Sequence, residues 1–398
     1  MRKAGSGSEV DSADVAVPAV ALALTRLSLA NFRSYETAEL RVEARPVVLA
    51  GANGTGKTNL LEAISLLSPG RGLRGAKLSE IQRKAPKPMS APVEGALWGV
   101  SATLARPDGQ WEIGTGLVPT APEARERRVL HLNGAPAESA DMAELLPMLW
   151  LTPAMDRLFL EGASGRRRFL DRLVFALNAG HARSAARYER AQRDRLRVLT
   201  EGPRDDAWLD GLEETMAAEG AAVTAARSET IEKLNGELAT RGQAGAFPCA
   251  HLSLDDGCNG IGADAARLQS ALAASRERDA MAGRTLIGPH LADLLVRHTG
   301  KRADARDCST GEQKALLISI VLANAWLQRR KNDGLAPLLL LDELAAHLDV
   351  KRRAALFEEI LALGAQAWMT GTDMSLFEPL GPRASRFSVV AGKFVRAG

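Results

Sequence analysis

The chain contains few cysteines and no long hydrophobic run near its start. Its 398 residues include only Cys249, Cys258 and Cys308, with no C-x-x-C pair and no histidines at the spacing of zinc ligands. We therefore expect no disulfide framework and no zinc finger, but reduced thiols in a cytoplasmic protein. The early apolar stretch VAVPAVALAL contains Pro18. It is too short to span a bilayer and poorly suited to a signal peptide.

A large excess of charge is also missing. The formal net charge is +3, so a nucleic-acid surface would require local clustering of basic residues. No Asp-x-Asp pair occurs, which argues against the extra carboxylate cluster of a two-metal nuclease. A hydrophobic content of 46% is enough for a large core and favours two domains.

The N-terminal part of the chain predicts an α/β unit. Residues 1–20 are rich in small and acidic residues and indicate a disordered tail. A half-buried strand is expected from Ala21, and VVLAGANGTGKTNLLEAISLL then predicts a strand, a glycine-rich turn and a helix. Short strands up to residue 150 suggest an antiparallel edge of the same domain.

Helical patterns replace the strands after Pro153. They cover 165 to about 199 and 206 to about 240, with Gly202-Pro203 as the break, and predict a helical hairpin whose second arm is about 50 Å long. The apolar residues of this arm recur at helical spacing: Leu209, Leu212, Met216, Val223, Leu234 and Leu238. A plain helical subdomain with a core face explains this pattern equally well.

Strand-like sequence returns near Ile287 and continues to the C-terminus. The whole pattern therefore predicts an α/β domain that is split by a helical insertion. We assign the head to 21–150 and 285–398, and the mainly helical second lobe to 151–284.

The stretch GANGTGKT, from Gly51 to Thr58, matches the P-loop pattern and lies between a predicted strand and a predicted helix. Glycines allow successive N–H groups to face phosphates, and the helix N-terminus adds partial positive charge. Lys57 would reach the β- and γ-phosphates, and Thr58 would ligate Mg²⁺. The candidate ATP-binding residues are Asn53, Gly54, Thr55, Gly56, Lys57, Thr58 and Asn59.

The stretch LLLLDE supplies two carboxylates. Four successive leucines suit a parallel strand that is covered on both faces. Asp342, at its carboxyl end, could hold Mg²⁺ through water, and Glu343 could polarise the attacking water. Alone, such an Asp-Glu pair is more often a strand end that leads into a helix cap. The P-loop upstream favours the catalytic interpretation.

A third motif, STGEQ, opens an apolar helix. Ser309 and Glu312 have the spacing of a capping box, which is the structural explanation of the string. A helix N-terminus with a hydroxyl and a glycine is also an anion site. The residues of this motif considered below as a signature are Ser309, Gly311, Glu312 and Gln313.

The order of these motifs, with HLD from His347 to Asp349 at the end, resembles an ABC-type ATPase. Further stretches are similar to the RecF family, which is related to the heads of structural-maintenance-of-chromosomes proteins. These stretches are LTRLSLANFRSYE, SPGRGLRG, LTPAMDRLFLEGASGRRRFLDRLV, IGPHLADL and CSTGEQKALLISIVLANA, and the similarity runs from about residue 24 to the end. The resemblance implies an ABC-type P-loop ATPase head with a mixed sheet.

The resemblance also implies how the site is completed. The signature helix of one protomer would cap the γ-phosphate in the other, so that ATP joins a head-to-tail homodimer with Asp349 at the seam. Arg33 would approach the nucleotide, although it could equally be a plain surface residue. Where transporter ATPases carry a switch histidine, this chain has MTGTD, so Thr370 or Thr372 would take that place.

A basic stripe suggests a nucleic-acid surface. Arginines at helical spacing could follow a phosphate backbone, although a solvated charged face is the commoner explanation. The candidates are Arg166, Arg167, Arg168, Arg183, Arg187 and Arg190, with Arg197 further along the same face. The resemblance favours DNA, and it implies dimers that bind duplex DNA at single-strand gaps and act with RecO and RecR proteins.

Two segments of the chain depart from the family pattern. IGPHLADL has Leu291 and Ala292 where similar proteins carry Arg-Asp, and the N-terminal tail is unusual. We therefore expect no charged role for these two residues.

Three different functions would also use an ATP-binding head. A transporter subunit would share the ATP motifs, but about 250 residues separate the P-loop from the signature here, far more than in such subunits. The second function is that of a nuclease-associated ATPase. The third is a structural head that binds ATP without hydrolysis, since the presence of Glu343 does not fix a rate.

Overall fold

A computed structural model describes residues 19–84, 98–118, 127–201, 205–242 and 245–397. The strands are β1 (Ala23–Phe32), β2 (Tyr35–Arg41), β3 (Val47–Ala50), β4 (Gly99–Arg106), β5 (Gly109–Val118), β6 (Arg127–Leu132), β7 (Ala135–Pro136), β8 (Met148–Leu151), β9 (Ala250–Asp255), β10 (Asp293–His298), β11 (Ala303–Asp304), β12 (Leu338–Leu341), β13 (Ala367–Gly371), β14 (Ser385–Val390) and β15 (Lys393–Arg396). The α-helices are α1 (Lys57–Ser65), α2 (Leu78–Ile81), α3 (Ser139–Leu145), α4 (Ala163–Leu177), α5 (His181–Thr200), α6 (Asp206–Gly242), α7 (Ala265–Ala274), α8 (Arg276–Ala282), α9 (Thr310–Lys331) and α10 (Val350–Leu363).

Two sequence predictions fall on other parts of the chain. Residues 1–18 of the predicted tail and the predicted break at Gly202-Pro203 lie outside the described residues. Among the helices within the described ranges, none has the length and apolar character that a bilayer crossing requires. Cys249, Cys258 and Cys308 are free thiols in this structure.

A mixed six-stranded sheet carries the phosphate-binding motifs. Its order is β15-β14-β3-β13-β12-β8, with parallel pairing throughout except between β14 and β15. The four leucines of β12 are buried and alternate between the faces: Leu338 and Leu340 join the core around α1, and Leu339 and Leu341 join the core around α9 and α10. The predicted parallel strand covered on both faces is confirmed.

Six of the strands before residue 150 form a sheet of their own. β1, β2 and β4 to β7 pair antiparallel in the order β2-β1-β4-β5-β6-β7, so the short strands expected before residue 150 lie in a second, antiparallel sheet. β1 and β2 form one hairpin and β4 and β5 another, and pairing of β1 with β4 joins the two hairpins into one sheet. Both sheets contribute to one core, and the buried Gln366 amide exchanges hydrogen bonds with the backbone of Leu24 across them.

The helical insertion differs from the prediction in its first arm. The segment expected as one helix over 165–199 is two helices, α4 and α5, because Asn178 has extended backbone angles and its side chain accepts a hydrogen bond from the Gly180 N–H (3.0 Å). The second arm is confirmed as α6, with 37 residues and Leu209, Met216 and Leu234 fully buried. This helix packs against α5, α7 and the signature helix α9.

Strand pairing crosses the assigned boundary between the two lobes. β9 lies in the range assigned to the helical lobe and pairs antiparallel with β10, which lies in the range assigned to the head. The division between residues 284 and 285 stays a prediction. The three-stranded sheet β11-β10-β9 connects the two ranges that it separates.

Candidate functional site

The P-loop is a backbone turn between β3 and α1. At two of its positions only glycine can adopt the backbone conformation without a steric clash. Gly51 and Gly56 have φ angles of 156° and 107°. A Cβ atom on Gly51 would lie 2.5 Å from the Val389 carbonyl oxygen, and one on Gly56 would lie 2.6 Å from the Tyr35 hydroxyl. The loop backbone is therefore held tightly against β14 and β2, with the amino end of α1 at its base.

Lys57 folds back over this loop. Its ammonium donates hydrogen bonds to the carbonyl oxygens of Gly51 (2.7 Å) and Ala52 (2.9 Å), and the residue is only 4% exposed. Burial lowers the pKa of Lys57, against the opposing effect of the carboxylates of Glu343 and Asp342. The Lys57 ammonium is partly desolvated and contacts backbone carbonyls. The negative charge of a bound phosphate chain would stabilise this cation.

Other predicted nucleotide residues line the same region. The Thr55 hydroxyl donates to the Ala52 carbonyl (2.9 Å), while Asn53 and Gly54 are exposed. The Asn59 amide donates to the Ser34 hydroxyl (2.9 Å) and accepts from Arg74 (2.8 Å).

Two threonine hydroxyls contact Asp342 and the backbone of Glu343. Thr58 Oγ1 lies 3.0 Å from both carboxylate oxygens of Asp342, and Thr370 Oγ1 lies 2.7 Å from Asp342 Oδ1. The Glu343 N–H donates to the same Thr370 oxygen (2.8 Å). Adjacent parallel strands β12 and β13 place these groups together, beside the first turn of α1.

Arg33 lies in the turn between β1 and β2 and is tied to the helix that follows the P-loop. Its guanidinium forms two hydrogen bonds with the Glu62 carboxylate, at 2.6 and 2.9 Å, and a third with the Glu80 carbonyl (2.6 Å). Arg74 also pairs with Glu62 (3.0 Å). Glu62 is 1% exposed and holds both arginines beside the site. This buried carboxylate is not predicted from the sequence.

The signature helix begins with the predicted capping box. The Glu312 carboxylate accepts from the Ser309 N–H (3.1 Å) and from the Ser309 hydroxyl (2.9 Å), and it also pairs with Lys301. The Lys301 ammonium, followed by the Ser309 donors, lowers the pKa of Glu312 to about 2. Ser309 and Gly311 are exposed, whereas Gln313 is buried and donates to the carbonyls of Arg306 and Cys308.

Asp349 begins the next helix. Its carboxylate accepts from the Arg352 N–H (2.8 Å) at the start of α10, and its side chain is 58% exposed. The exposed Val350 follows it.

The predicted basic stripe separates into paired and exposed arginines. Arg166 pairs with Asp293 at 2.7 and 2.8 Å, Arg167 donates to the Ala292 carbonyl (2.7 Å) and Arg187 pairs with Glu219 (2.9 Å). Within this stripe, three arginines are exposed and have no ion pair to a described residue: Arg168, Arg183 and Arg190. Arg197 pairs with its helix neighbour Asp194.

The donor set at the P-loop fits Mg²⁺·ATP. Thr58 offers a hydroxyl oxygen and Asp342 a carboxylate, both of them oxygen groups that Mg²⁺ prefers, and Lys57 supplies the cation that a triphosphate needs. Apart from this pair, no cluster of three or more histidine, cysteine or acidic side chains suited to a metal occurs within the described ranges.

Known proteins are similar to this chain over most of its length. The family model of the RecF/RecN/SMC N terminal domain matches residues 23–379. The DNA replication and repair protein RecF of Rhizobium etli (strain CIAT 652) is 49% identical over 380 residues, which cover 94% of this chain and 98% of that protein.

The chain belongs to the RecF family. A solved structure of the recombination mediator protein RecF-ATP in the RecFOR pathway shares 23% identity and a TM-score of 0.79, covering 97% of this chain and 100% of that one. The Smc head domain of Pyrococcus furiosus, bound to a domain of ScpA, has 16% identity and a TM-score of 0.54, with 95% and 96% covered. These structures confirm the predicted ATPase-head fold.

Leu291 and Ala292, where we expect the sequence to differ from similar proteins, differ in their exposure. The side chain of Leu291 is exposed, Ala292 is buried, and the carbonyl of Ala292 receives the Arg167 guanidinium. The aspartate that remains in the motif, Asp293, pairs with Arg166. This segment therefore anchors α4 to β10.

Proposed function

We propose that this RecF-family chain is an ATP-dependent recombination mediator. ATP closes a head-to-tail homodimer on duplex DNA at single-strand gaps, the dimer aids recombinase loading together with RecO and RecR proteins, and slow hydrolysis reopens it. The names of the relatives as DNA replication and repair proteins support the pathway. The observation that carries the ATP part is the contact of Thr58 with Asp342 beside Glu343.

Each polar group at the P-loop end has a distinct task in this proposal. Lys57 would exchange its backbone partners for the β- and γ-phosphates. Thr58 and Asp342 would hold Mg²⁺, which would supply positive charge to neutralise the phosphates. Glu343 accepts a proton from the attacking water. Its backbone is fixed at the strand end by the bond to Thr370.

The signature supplies the other half of the site from the partner protomer. The exposed start of α9 presents Ser309 and Gly311 together with its free N–H groups, which suits an anion. Glu312 would repel a phosphate, but Lys301 neutralises part of this charge. The Ser309 hydroxyl is held by Glu312 and would have to turn towards the phosphate on closure.

DNA binding is assigned to exposed arginines of α4 and α5. Arg168, Arg183 and Arg190 are solvent-exposed, whereas Arg166 and Arg167 are committed to β10 and the segment before it. Exposed guanidiniums on a helix can contact phosphates without reading bases, which agrees with recognition of duplex structure and not of sequence. We therefore narrow the proposed DNA contacts to the exposed arginines.

The test is DNA binding by Glu343→Gln, in which blocked hydrolysis should trap the closed dimer. Binding to gapped, fully duplex and single-stranded DNA would be measured near physiological salt, with and without ATP, and Lys57→Ala would serve as the control that cannot use ATP. Tight binding to duplex-containing DNA only with ATP is expected. Equal binding with and without ATP would contradict the ATP-gated clamp.

The catalytic role of Glu343 is tested by turnover. Wild type should hydrolyse ATP slowly, and Glu343→Gln should reduce kcat by a factor of about 100 or more, within the range of general-base effects. Equal rates in the two proteins would refute the assignment and favour a head that binds ATP without using Glu343.

A further inference from the structure

Thr370 connects the two acids of the ATP site. It lies at the carboxyl end of β13, next to the strand that carries Asp342, and it is 0% exposed. Its hydroxyl donates to Asp342 Oδ1 (2.7 Å) and accepts from the Glu343 N–H (2.8 Å). One hydroxyl has one proton and two lone pairs, so both bonds can exist at the same time.

The first bond orients the Asp342 carboxylate. Thr58 contacts this carboxylate from α1 and Thr370 contacts it from β13, so two hydroxyls fix its rotation. If the proton of each hydroxyl points at Asp342, a lone pair of Thr58 is left to face the metal. Removal of Thr370 would leave Thr58 as the only hydroxyl partner of Asp342 in the described part of the chain.

The second bond holds the backbone of Glu343. This residue has a φ angle of 51°, in the left-handed region that non-glycine residues rarely adopt. Such a conformation persists when its surroundings impose it. The Thr370 oxygen is the partner of the Glu343 N–H, so it contributes to the direction in which the carboxylate leaves the strand.

We infer that Thr370 is the positioning residue of the ATPase centre: a single buried hydroxyl sets both the metal-side acid and the general base. This inference rests on the proposed ATP hydrolysis and deepens it. Thr370 acts through Asp342 and Glu343 and does not touch the phosphate, which differs from a switch side chain that contacts the nucleotide. Thr372, the other candidate for that place, is exposed.

The decisive comparison uses Thr370→Val, which keeps the shape, and Thr370→Ser, which keeps the hydroxyl. Loss of a hydrogen bond to a charged group corresponds to a change of roughly tenfold or more. Thr370→Val should therefore raise the Mg²⁺ concentration for half-maximal nucleotide binding by about tenfold. It should also lower kcat by about tenfold or more, with metal-free nucleotide binding unchanged. Thr370→Ser should restore both quantities.

The two readouts separate failure of this inference from failure of the proposed function. Mg²⁺-dependent nucleotide binding requires no hydrolysis, so it tests the orientation of Asp342 even if the wild type proves inactive. Unchanged Mg²⁺ dependence and kcat in a folded Thr370→Val protein would overturn the inference. The inference would also be overturned if Thr370→Val lowered only the stability of the fold and Thr370→Ser restored it. An equal loss of kcat in Thr372→Val would overturn it too.

Discussion

The P-loop end of the mixed sheet and the helical lobe use their polar residues differently. At the P-loop end, Lys57, Thr58 and Asp342 lie close together at the candidate ATP site. In the helical lobe, the guanidinium of the fully buried Arg195 is occupied by Glu213, Asp279 and the Leu272 carbonyl. A buried charge therefore indicates function only when its partners leave room for a ligand.

Of the changes that distinguish the two regions, Arg195→Met should have the largest effect, a loss of unfolding free energy. Arg195 is 0% exposed and joins α5 to α6 and α8, with bonds of 2.8 Å to Glu213 and 2.7 Å to Asp279. Its removal leaves the buried Asp279 carboxylate without this cation, and Glu213 keeps only Arg276. The change should cost about 3–5 kcal/mol in unfolding free energy, which denaturant unfolding measures.

A matched control for this variant lies on the same helix. Arg193 is exposed and only loosely paired with Glu189, at 3.8 Å, so Arg193→Met should change the unfolding free energy by less than about 0.5 kcal/mol. Equal unfolding free energies of the two variants would show that the buried network does not stabilise the lobe.

Lys57→Ala should show the opposite pattern. The free energy of ATP binding should weaken by about 1.5–3 kcal/mol, or roughly 10- to 150-fold in affinity, because a charge-assisted contact is lost. The fold should remain, since burial already lowers the pKa of this lysine and so disfavours its charged form. Calorimetric titration with a non-hydrolysable ATP analogue measures the affinity, and a value equal to wild type would contradict the site.

The exposed arginines provide a smaller, salt-dependent effect. If Arg183 and Arg190 each contact one DNA phosphate, changing both to glutamine should reduce the slope of log affinity against log salt by about 2. The control is Arg41→Gln, an exposed arginine on β2 in the other lobe. Slopes that match wild type in the double variant would exclude these two arginines as phosphate contacts.

The smallest expected effect concerns pH. Burial lowers the pKa of His290, and Arg167 and Arg227 act in the same direction, so the unfolded chain takes up the proton first. Stability from this group is complete above the unfolded pKa of about 6.5 and declines as the pH falls below it. His290→Gln should flatten the decline in melting temperature between about pH 7 and 5.5, and an unchanged slope would contradict it.

The sequence predicted the P-loop end far better than the lobe. GANGTGKT and LLLLDE carry their structure in short local patterns, and the structure has the predicted strand, turn and helix around Gly51 and the predicted buried strand before Asp342. Thr370 was named without its partners, because its contact depends on which strand neighbours β12. Arg195 was missed and Arg166 was assigned to DNA, because composition does not tell whether an arginine on a helix has a distant carboxylate beside it.

Mixing two inactive variants tests the central claim most directly. Lys57→Ala lacks the P-loop cation but keeps the signature, and Ser309→Arg blocks the signature but keeps the P-loop. Each alone should neither hydrolyse ATP nor dimerise with it, whereas their mixture should recover ATP-dependent dimers and turnover through one intact composite site. No recovery in the mixture, or full dimerisation of Ser309→Arg alone, would contradict an ATP site shared between two protomers.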